Sequence, residues 1–273
     1  MISVVIPSYK DPDLQRTVDS LLENAEGEIE IIAVFNAHWP DPPLTPDPRV
    51  HQIHLGQNLG MRGAINAGVA VAKGEYILRT DAHCIFGKGY DRILTERFED
   101  NWIVYPKRFF LDTDKWEIMD KESNLYNKLI IDKSHNKFSG ANWKSREEER
   151  KDFDIDESMA MQGSCWIMKK SWWDKVIVEL DSSIYGTHYG DSHEMVFKTW
   201  KAGGKLMVNK NTWHAHKHRD FARTHNYGSA EAREGWDNAI ALWGDYYLHT
   251  IKPLWKKEQQ HAHSPTGTTD RGP

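Results

Sequence analysis

An aspartate and a histidine one residue apart, Asp81-Ala-His83, stand directly behind a short apolar run ending at Thr80. A carboxylate oxygen and an imidazole nitrogen at that spacing can hold the same divalent ion. Mixed oxygen and nitrogen ligation suits Mn²⁺ better than Ca²⁺, with Mg²⁺ as the alternative. Two ligands are too few, so a third must come from elsewhere. Candidates cluster in Trp213-His-Ala-His216-Lys-His-Arg219, where His214, His216 and His218 compete. An acidic group, Asp191, opens a helical pattern over residues 191–202. It can serve as a general base if an acceptor hydroxyl comes within reach, and it is equally a helix N-terminal residue favoured by the dipole. Glu194, one turn on, is a weaker candidate. Taken alone, Asp-x-His is also simply a turn after a strand, and the histidines are also a solvated loop.

The elements that must position these groups are legible in the first hundred residues. Residues 2–6 are a β-branched run stopped by Pro7-Ser8, as in a buried parallel strand. Residues 11–26 carry Leu14, Val18, Leu21 and Leu22 at helical spacing. Strands follow at 28–35 and 50–55, with a proline-rich loop over 36–48 between them. A Gly- and Ala-rich helix is predicted over 58–73, closed by Gly74 as its C-terminal cap, and a fourth strand over 75–80. Strand–helix–strand alternation argues for a mainly parallel sheet with helices on both faces. Ligands of such sheets sit beyond the carboxyl ends of the strands. That rule brings Pro7, Ser8, Tyr9 and Lys10, the 35–37 segment with Asn36, and residues 80–83 to one crevice.

Past His83 the pattern loosens. A helix over 90–98 and a strand over 102–106 are followed by a hairpin insertion and loop over 109–137. The charged run 144–151 reads as a solvated helix or loop. A strand at 164–168 leads into a helix from Ser171, and the helix at 191–202 is capped by Gly203-Gly204. A strand over 205–208, a long amphipathic helix over 229–248 and a disordered tail over 258–273 complete the reading.

The 273-residue chain has 39% hydrophobic and 27% charged residues, ordinary for a soluble globular protein, and its net charge of −5 is not that of a general polyanion binder. Its twelve tryptophans include Trp166, and Trp172 and Trp173, which should divide between core and surface. Two cysteines, Cys84 and Cys165, can form neither a disulfide framework nor a four-thiolate zinc site, which fits a reducing compartment. No run approaches the roughly 20 apolar residues of a membrane helix, and the N-terminus lacks a signal-peptide pattern. The chain reads as cytoplasmic, without membrane insertion. No Gly-x-Gly-x-x-Gly follows the first strand, which argues against a dinucleotide oxidoreductase.

Val4-Val-Ile-Pro-Ser-Tyr9, Asn58-Leu-Gly60, Ala64-x-Asn66-x-Gly68, Ala72-x-Gly74-x-Tyr76 and Asp81-x-His83 together resemble the nucleotide-binding half of inverting family 2 glycosyltransferases. The Asp-x-His variant, the segment Tyr189-Gly-Asp191-Ser-His-Glu194-Met-x-Phe-Lys-x-Trp200-Lys-Ala-Gly203-Gly204 and His216-Lys-His-Arg219 are similar to motifs of the polypeptide N-acetylgalactosaminyltransferases. The resemblance implies a GT-A fold, with residues 1–100 as the nucleotide-sugar half and 101–250 as the acceptor and catalytic half. It implies a metal held by Asp81, His83 and His216, the last because Arg219 falls three residues later as in the family motif.

The same resemblance implies transfer of a hexose or N-acetylhexosamine from a nucleotide-sugar, a UDP-sugar by preference. Pro7, Ser8, Tyr9 and Asn36 would meet the nucleoside, Asp81 the metal-bridged diphosphate, Gly163 the donor sugar and Trp166 a sugar or acceptor. From its place at the start of a helix in the crevice, Arg62 could pair with phosphate or be a plain surface residue, and Arg79 could approach the ribose or diphosphate or make a structural ion pair. Asp191 takes the acceptor side. Two departures stand out. Ser192 occupies the position of the usual family 2 base, so either Asp191 is the base or the enzyme is retaining. Phe35-Asn36-Ala37 lacks the usual aspartate after the second strand, which leaves the nucleotide open. The acceptor is open among glycan, polypeptide, small molecule and modified nucleic acid. The alternative is a nucleotide-sugar-binding or scaffolding module of the same fold without catalysis.

Overall fold

The computed structural model describes residues 1–187, 190–217 and 229–256. The expected tail at 258–273 and, from the histidine cluster, His218 and Arg219 lie outside those residues. In chain order the elements begin β1 (Ile2–Ser8), α1 (Leu14–Asn24), β2 (Ile29–Asn36), β3 (Val50–Leu55), α2 (Gly60–Val71), β4 (Tyr76–Thr80), β5 (Cys84–Phe86) and α3 (Tyr90–Thr95). Then come β6 (Trp102–Asp112), β7 (Glu117–Ile118), β8 (Asn127–Asp132), β9 (Lys137–Asn142), α4 (Lys144–Glu149) and β10 (Ile155–Glu157). The last part holds β11 (Cys165–Lys169), α5 (Lys170–Trp172), α6 (Ser182–Tyr185), α7 (Asp191–Lys201), β12 (Lys205–Lys217) and α8 (Ala230–Tyr246). Among the described residues no helix is long and apolar enough to cross a membrane.

One sheet runs β10-β12-β6-β11-β4-β1-β2-β3, with β5 added to β12 and β7 to β6; β8 and β9 form a separate hairpin. Pairing is parallel for β1 with β2 and β4, for β2 with β3, and for β6 with β12, while β11 runs antiparallel between β4 and β6. Strands β1, β2, β4 and β11 read as nearly unbroken apolar runs because both faces are covered. Val5, Ile32, Val34, Ile77, Ile103 and Val208 enter one core with α2, α7 and α8. Their neighbours Val4, Ile6, Ile31, Ala33, Leu78, Val104 and Met207 enter a second core with α1 and α3. Each such aliphatic side chain withdrawn from water contributes about 1.5–3 kcal/mol before ordering costs.

Several expectations are corrected. Helix α2 ends at Val71, with Ala72 already extended, so Gly74 is not its cap. Gly74 instead lets the chain pass the first strand: its N–H donates to Ser3 Oγ at 2.7 Å, and a Cβ there would sit 2.7 Å from the Ser3 nitrogen. The 109–137 region is not one insertion. Residues up to Asp112 extend β6, β7 turns back on it, and β8 belongs to the second hairpin. The charged run 144–151 is a helix whose Arg146 is buried against Asp156. Trp172 and Trp173 are both buried rather than divided. Strand β12 continues nine residues beyond the predicted Val208, through a register shift between Asn209 and Trp213. That extension carries His214 and His216 on a strand rather than a loop.

The topology gathers one edge. The ends of β1, β2 and β4 lie side by side because their strands are parallel neighbours. Antiparallel β11 starts there, with Cys165 opposite Thr80, and the Asp81 N–H donates to Ser164 O at 3.0 Å. The end of β12 arrives beside β5, with His216 opposite Cys84.

Candidate metal centre and donor crevice

Asp81 leaves the end of β4, His83 precedes β5, and His216 comes from β12. One ligand atom from each lies within 4.8 Å of the others. His216 Nε2 is 3.0 Å from Asp81 Oδ2 and 3.0 Å from His83 Nε2. The opposite nitrogen of His83, Nδ1, is 2.7 Å from Asp11 Oδ2. That contact fixes the ring and leaves Nε2 to face the cluster, the usual way a carboxylate orients a metal-binding imidazole. Sequence reasoning did not single out Asp11. Its signal is an acidic residue just past the end of β1, at the same sheet edge.

Charge and protonation suit a cation. Burial works against the Asp81 carboxylate, but the Arg79 guanidinium and the hydrogen bond from His216 outweigh it and hold its pKa far below the ordinary value. Burial pushes His216 down to about 4 against the pull of Asp81, so the ring is neutral at pH 7. One ionised carboxylate and two imidazoles make a donor set for a borderline divalent ion, and three protein ligands leave coordination positions for a substrate. His214 is a different case. It is fully buried, its Nε2 is 3.0 Å from Ser164 Oγ, and burial lowers its pKa well below the usual value. Of the two described histidines on this strand, His216 is the one in the cluster.

Asp191 opens α7, behind Gly190 at φ +66°. Its side chain is buried, and its Oδ2 has no hydrogen-bond partner. A Cβ built on Gly163 would lie 3.7 Å from that oxygen, so the carboxylate faces the residue before Ser164, where β4 and β11 meet.

The other sequence-derived candidates divide. Ser8 ends β1 and is buried, with Pro7 beside it half-buried. Tyr9 is half-buried, edge-on to His38 at 6.4 Å. Beyond it Trp39, 71% exposed, lies flat against His54. Asn36 turns inward: its Nδ2 donates to Asn58 Oδ1 and Gly60 O, and its Oδ1 accepts from Leu59 N, tying β2 to the start of α2.

Arg79 is an ion-pair partner, with Nη2 at 2.6 Å from Asp81 Oδ1 and Nη1 donating to Gly163 O. Arg62 is not a surface residue reaching for phosphate; its fully buried guanidinium pairs with Glu194 and lies 4.6 Å over the Tyr185 ring. Trp166 has no face to offer a sugar. It is fully buried and stacked on Trp173 at 6.0 Å, because the inward positions of β11 belong to the core.

Comparison with known proteins agrees with this architecture. A stretch of this chain is 32% identical over 109 residues to the uncharacterized glycosyltransferase EpsJ of Bacillus subtilis (strain 168), covering 37% of this chain and 31% of that protein. Another is 31% identical over 86 residues to the succinoglycan biosynthesis protein ExoO of Rhizobium meliloti (strain 1021), covering 30% of this chain and 25% of that one. The crystal structure of GalNAc-T7 with UDP, GalNAc and Mn²⁺ superposes with a TM-score of 0.72 at 17% identity, over 96% of this chain and 55% of that one. The chain therefore spans a part, not the whole, of each of these proteins, and at that identity the last likeness bears on the fold, which is GT-A. The family model for glycosyl transferase family 2 matches residues 3–177, and with β1 to β4 and Asp81-x-His83 inside that span, the chain belongs to glycosyl transferase family 2.

Proposed function

We propose that this chain is a metal-dependent glycosyltransferase that moves a hexose or N-acetylhexosamine from a UDP-sugar to an acceptor hydroxyl. The convergence of Asp81, His83 and His216 at the carboxyl edge of the sheet carries this reading. Those three residues would hold the ion, Mn²⁺ by preference, with Mg²⁺ the alternative. When bound, it supplies positive charge to the diphosphate oxygens and so stabilises the departing nucleotide. Arg79 keeps Asp81 ionised, and Asp11 keeps the His83 ring turned toward the ion. UDP and Mn²⁺ in the GalNAc-T7 structure support the choice of nucleotide and metal.

Asp191 is the group we assign to the acceptor. Its Oδ2 has an uncommitted lone pair in a buried position, and a base must stand within hydrogen-bond reach of the hydroxyl it deprotonates. Ser192 cannot take this role. Tyr9 and the aromatic side chains beyond β2 offer flat surface to the nucleoside at the crevice rim.

The test is donor hydrolysis. UDP-glucose, UDP-galactose, their N-acetyl analogues and GDP-mannose are each incubated with Mn²⁺ or EDTA, for the wild type and His83→Ala. Release of UDP from one donor, lost with EDTA and in the variant, is the expected result. Release that persists in EDTA removes the metal from the proposal. No release, together with no Mn²⁺-dependent nucleotide binding by calorimetry, removes the activity.

A further inference from the structure

The metal-facing side of the sheet holds a cation that the function above does not use. Strand β6 lies parallel to β12, with Arg108 opposite His214 and Phe110 opposite His216. Side chains at paired positions share a face, so Arg108 and Phe110 stand on the same side as the two histidines. The Arg108 guanidinium lies 5.3 Å over the Phe110 ring. Its Nε is buried without a hydrogen-bond partner, and among the described residues no carboxylate pairs with it. Arg79, by contrast, is neutralised by Asp81.

A half-buried guanidinium without a counter-ion is costly unless an anion joins it. Standing opposite His214, two residues along the strand from His216, it also repels a divalent ion bound at the cluster alone. Both penalties disappear when a doubly charged anion sits between the ion and the arginine.

We propose that Arg108 is a diphosphate-binding residue that couples loading of the metal to loading of the donor. The site takes the ion weakly by itself and takes ion and diphosphate tightly together. By linkage, each ligand then raises the affinity for the other by the same factor. This inference rests on the metal and diphosphate reading above, and deepens it by naming the second charge the diphosphate meets.

The experiment compares wild type, Arg108→Gln and Arg108→Lys. Mn²⁺ alone is titrated by calorimetry, and the Mn²⁺–pyrophosphate complex is measured by equilibrium dialysis in excess Mn²⁺. Arg108→Gln should bind Mn²⁺ alone several-fold more tightly, roughly three- to tenfold, and the pyrophosphate complex about tenfold more weakly. Arg108→Lys should stay near wild type for Mn²⁺ alone, since it keeps the charge. Opposite signs for the two ligands cannot come from damage to the fold, which weakens both. If Arg108→Gln leaves both affinities unchanged, or lowers both, while the wild type binds the pyrophosphate complex, the coupling role of Arg108 is overturned and the metal reading stands. A wild type that binds neither Mn²⁺ nor the complex overturns both. Should Arg108→Gln not fold, the wild type still decides: Mn²⁺ affinity that does not rise with pyrophosphate overturns the coupling.

Discussion

His83 and His216, 133 positions apart in the chain, bring their Nε2 atoms to 3.0 Å and their ring centroids to 4.8 Å. Each ring is fixed from a different direction, His83 by Asp11 at its other nitrogen and His216 by its place on β12 opposite Cys84. Neutral imidazole nitrogens facing each other beside an ionised carboxylate can share a hydrogen bond, one donating and the other accepting, and can equally turn their lone pairs to a cation. They are well matched as ligands.

The first prediction separates the two histidines of β12. His83→Ala and His216→Ala should each weaken Mn²⁺ binding by roughly a hundredfold or more, since even groups that merely orient a ligand cost ten- to a hundredfold. His214→Ala should keep Mn²⁺ affinity within a few-fold and lose about 2 kcal/mol of stability, through the lost contact with Ser164 and the space left behind. Calorimetry with Mn²⁺ and a denaturant melt on each variant check it. Tight Mn²⁺ binding by His216→Ala would rule out the assignment.

A second prediction concerns the buried pair that ties α2 to α7. Arg62 is fully buried against Glu194, which also receives Lys198 at 2.8 Å. Burial lowers the Arg62 pKa, with Asp191 pulling it back up. Glu194→Gln removes the carboxylate facing a buried cation and should cost about 3–5 kcal/mol. The apolar double variant Arg62→Met/Glu194→Leu should lose less than Glu194→Gln alone. Urea unfolding of wild type, Glu194→Gln and the double variant decides it, and a double variant that loses more stability than Glu194→Gln would contradict the pairing.

The first hundred residues were legible for a physical reason. Strands β1, β2 and β4 are buried on both faces and short, the helices carry one apolar stripe, and the loop over 36–48 is rich in proline, so each local signal agrees with the global layout. Strand β12 was not. Asn209-Lys210-Asn211 reads as a polar stop after Val208, and the chain absorbs these residues in a register shift before returning to the ladder at Trp213. The candidate site followed the same division. Asp81 and His83 were visible because they end a clear strand. Residues 214 and 216 point to one face of a strand, so alternation could not choose between them; Ser164, which takes His214, comes from a distant element. Trp166 and Arg62 show the limit of residue type as a guide, because an aromatic ring and a guanidinium in a crevice segment both turned inward. Arg108 carried no signal until β6 was seen to run past Pro106.

The third prediction is a pH dependence away from the metal. Asp156 is buried, and burial alone would raise its pKa. Hydrogen bonds from Arg150, the charge of Arg146 and the Tyr126 hydroxyl outweigh that and hold it below its ordinary value. A carboxyl with a depressed folded-state pKa contributes stability that is present above its unfolded pKa of about 4 and lost as pH falls through the folded value. Asp156→Asn should therefore cost about 3 kcal/mol at pH 7, and the gap to wild type should narrow steadily below about pH 4. Guanidinium melts from pH 7 to pH 3 would show it; a constant gap would mean that the charge of Asp156 is not what stabilises the α4–β10 contact.

The last prediction tests the role proposed for Asp191. Asp191 sits at the first residue of α7, where the helix N-terminus favours a negative charge. Replacing it with Asn keeps the shape and a hydrogen-bonding oxygen but removes the basic lone pair. If Asp191 is the base, Asp191→Asn should leave Mn²⁺ and UDP binding within a few-fold of wild type. Transfer to an acceptor should then fall by roughly 10²–10⁴-fold, the usual contribution of general-base catalysis. If its place is only to stabilise the helix, the loss should instead appear as about 0.3–1 kcal/mol of stability with transfer little changed. The two outcomes are read from the same protein, by calorimetry, by a melt and by single-turnover transfer. A variant that binds donor normally, melts normally and still transfers at the wild-type rate would leave Asp191 without a chemical role and direct the search for the base to another group on the acceptor side.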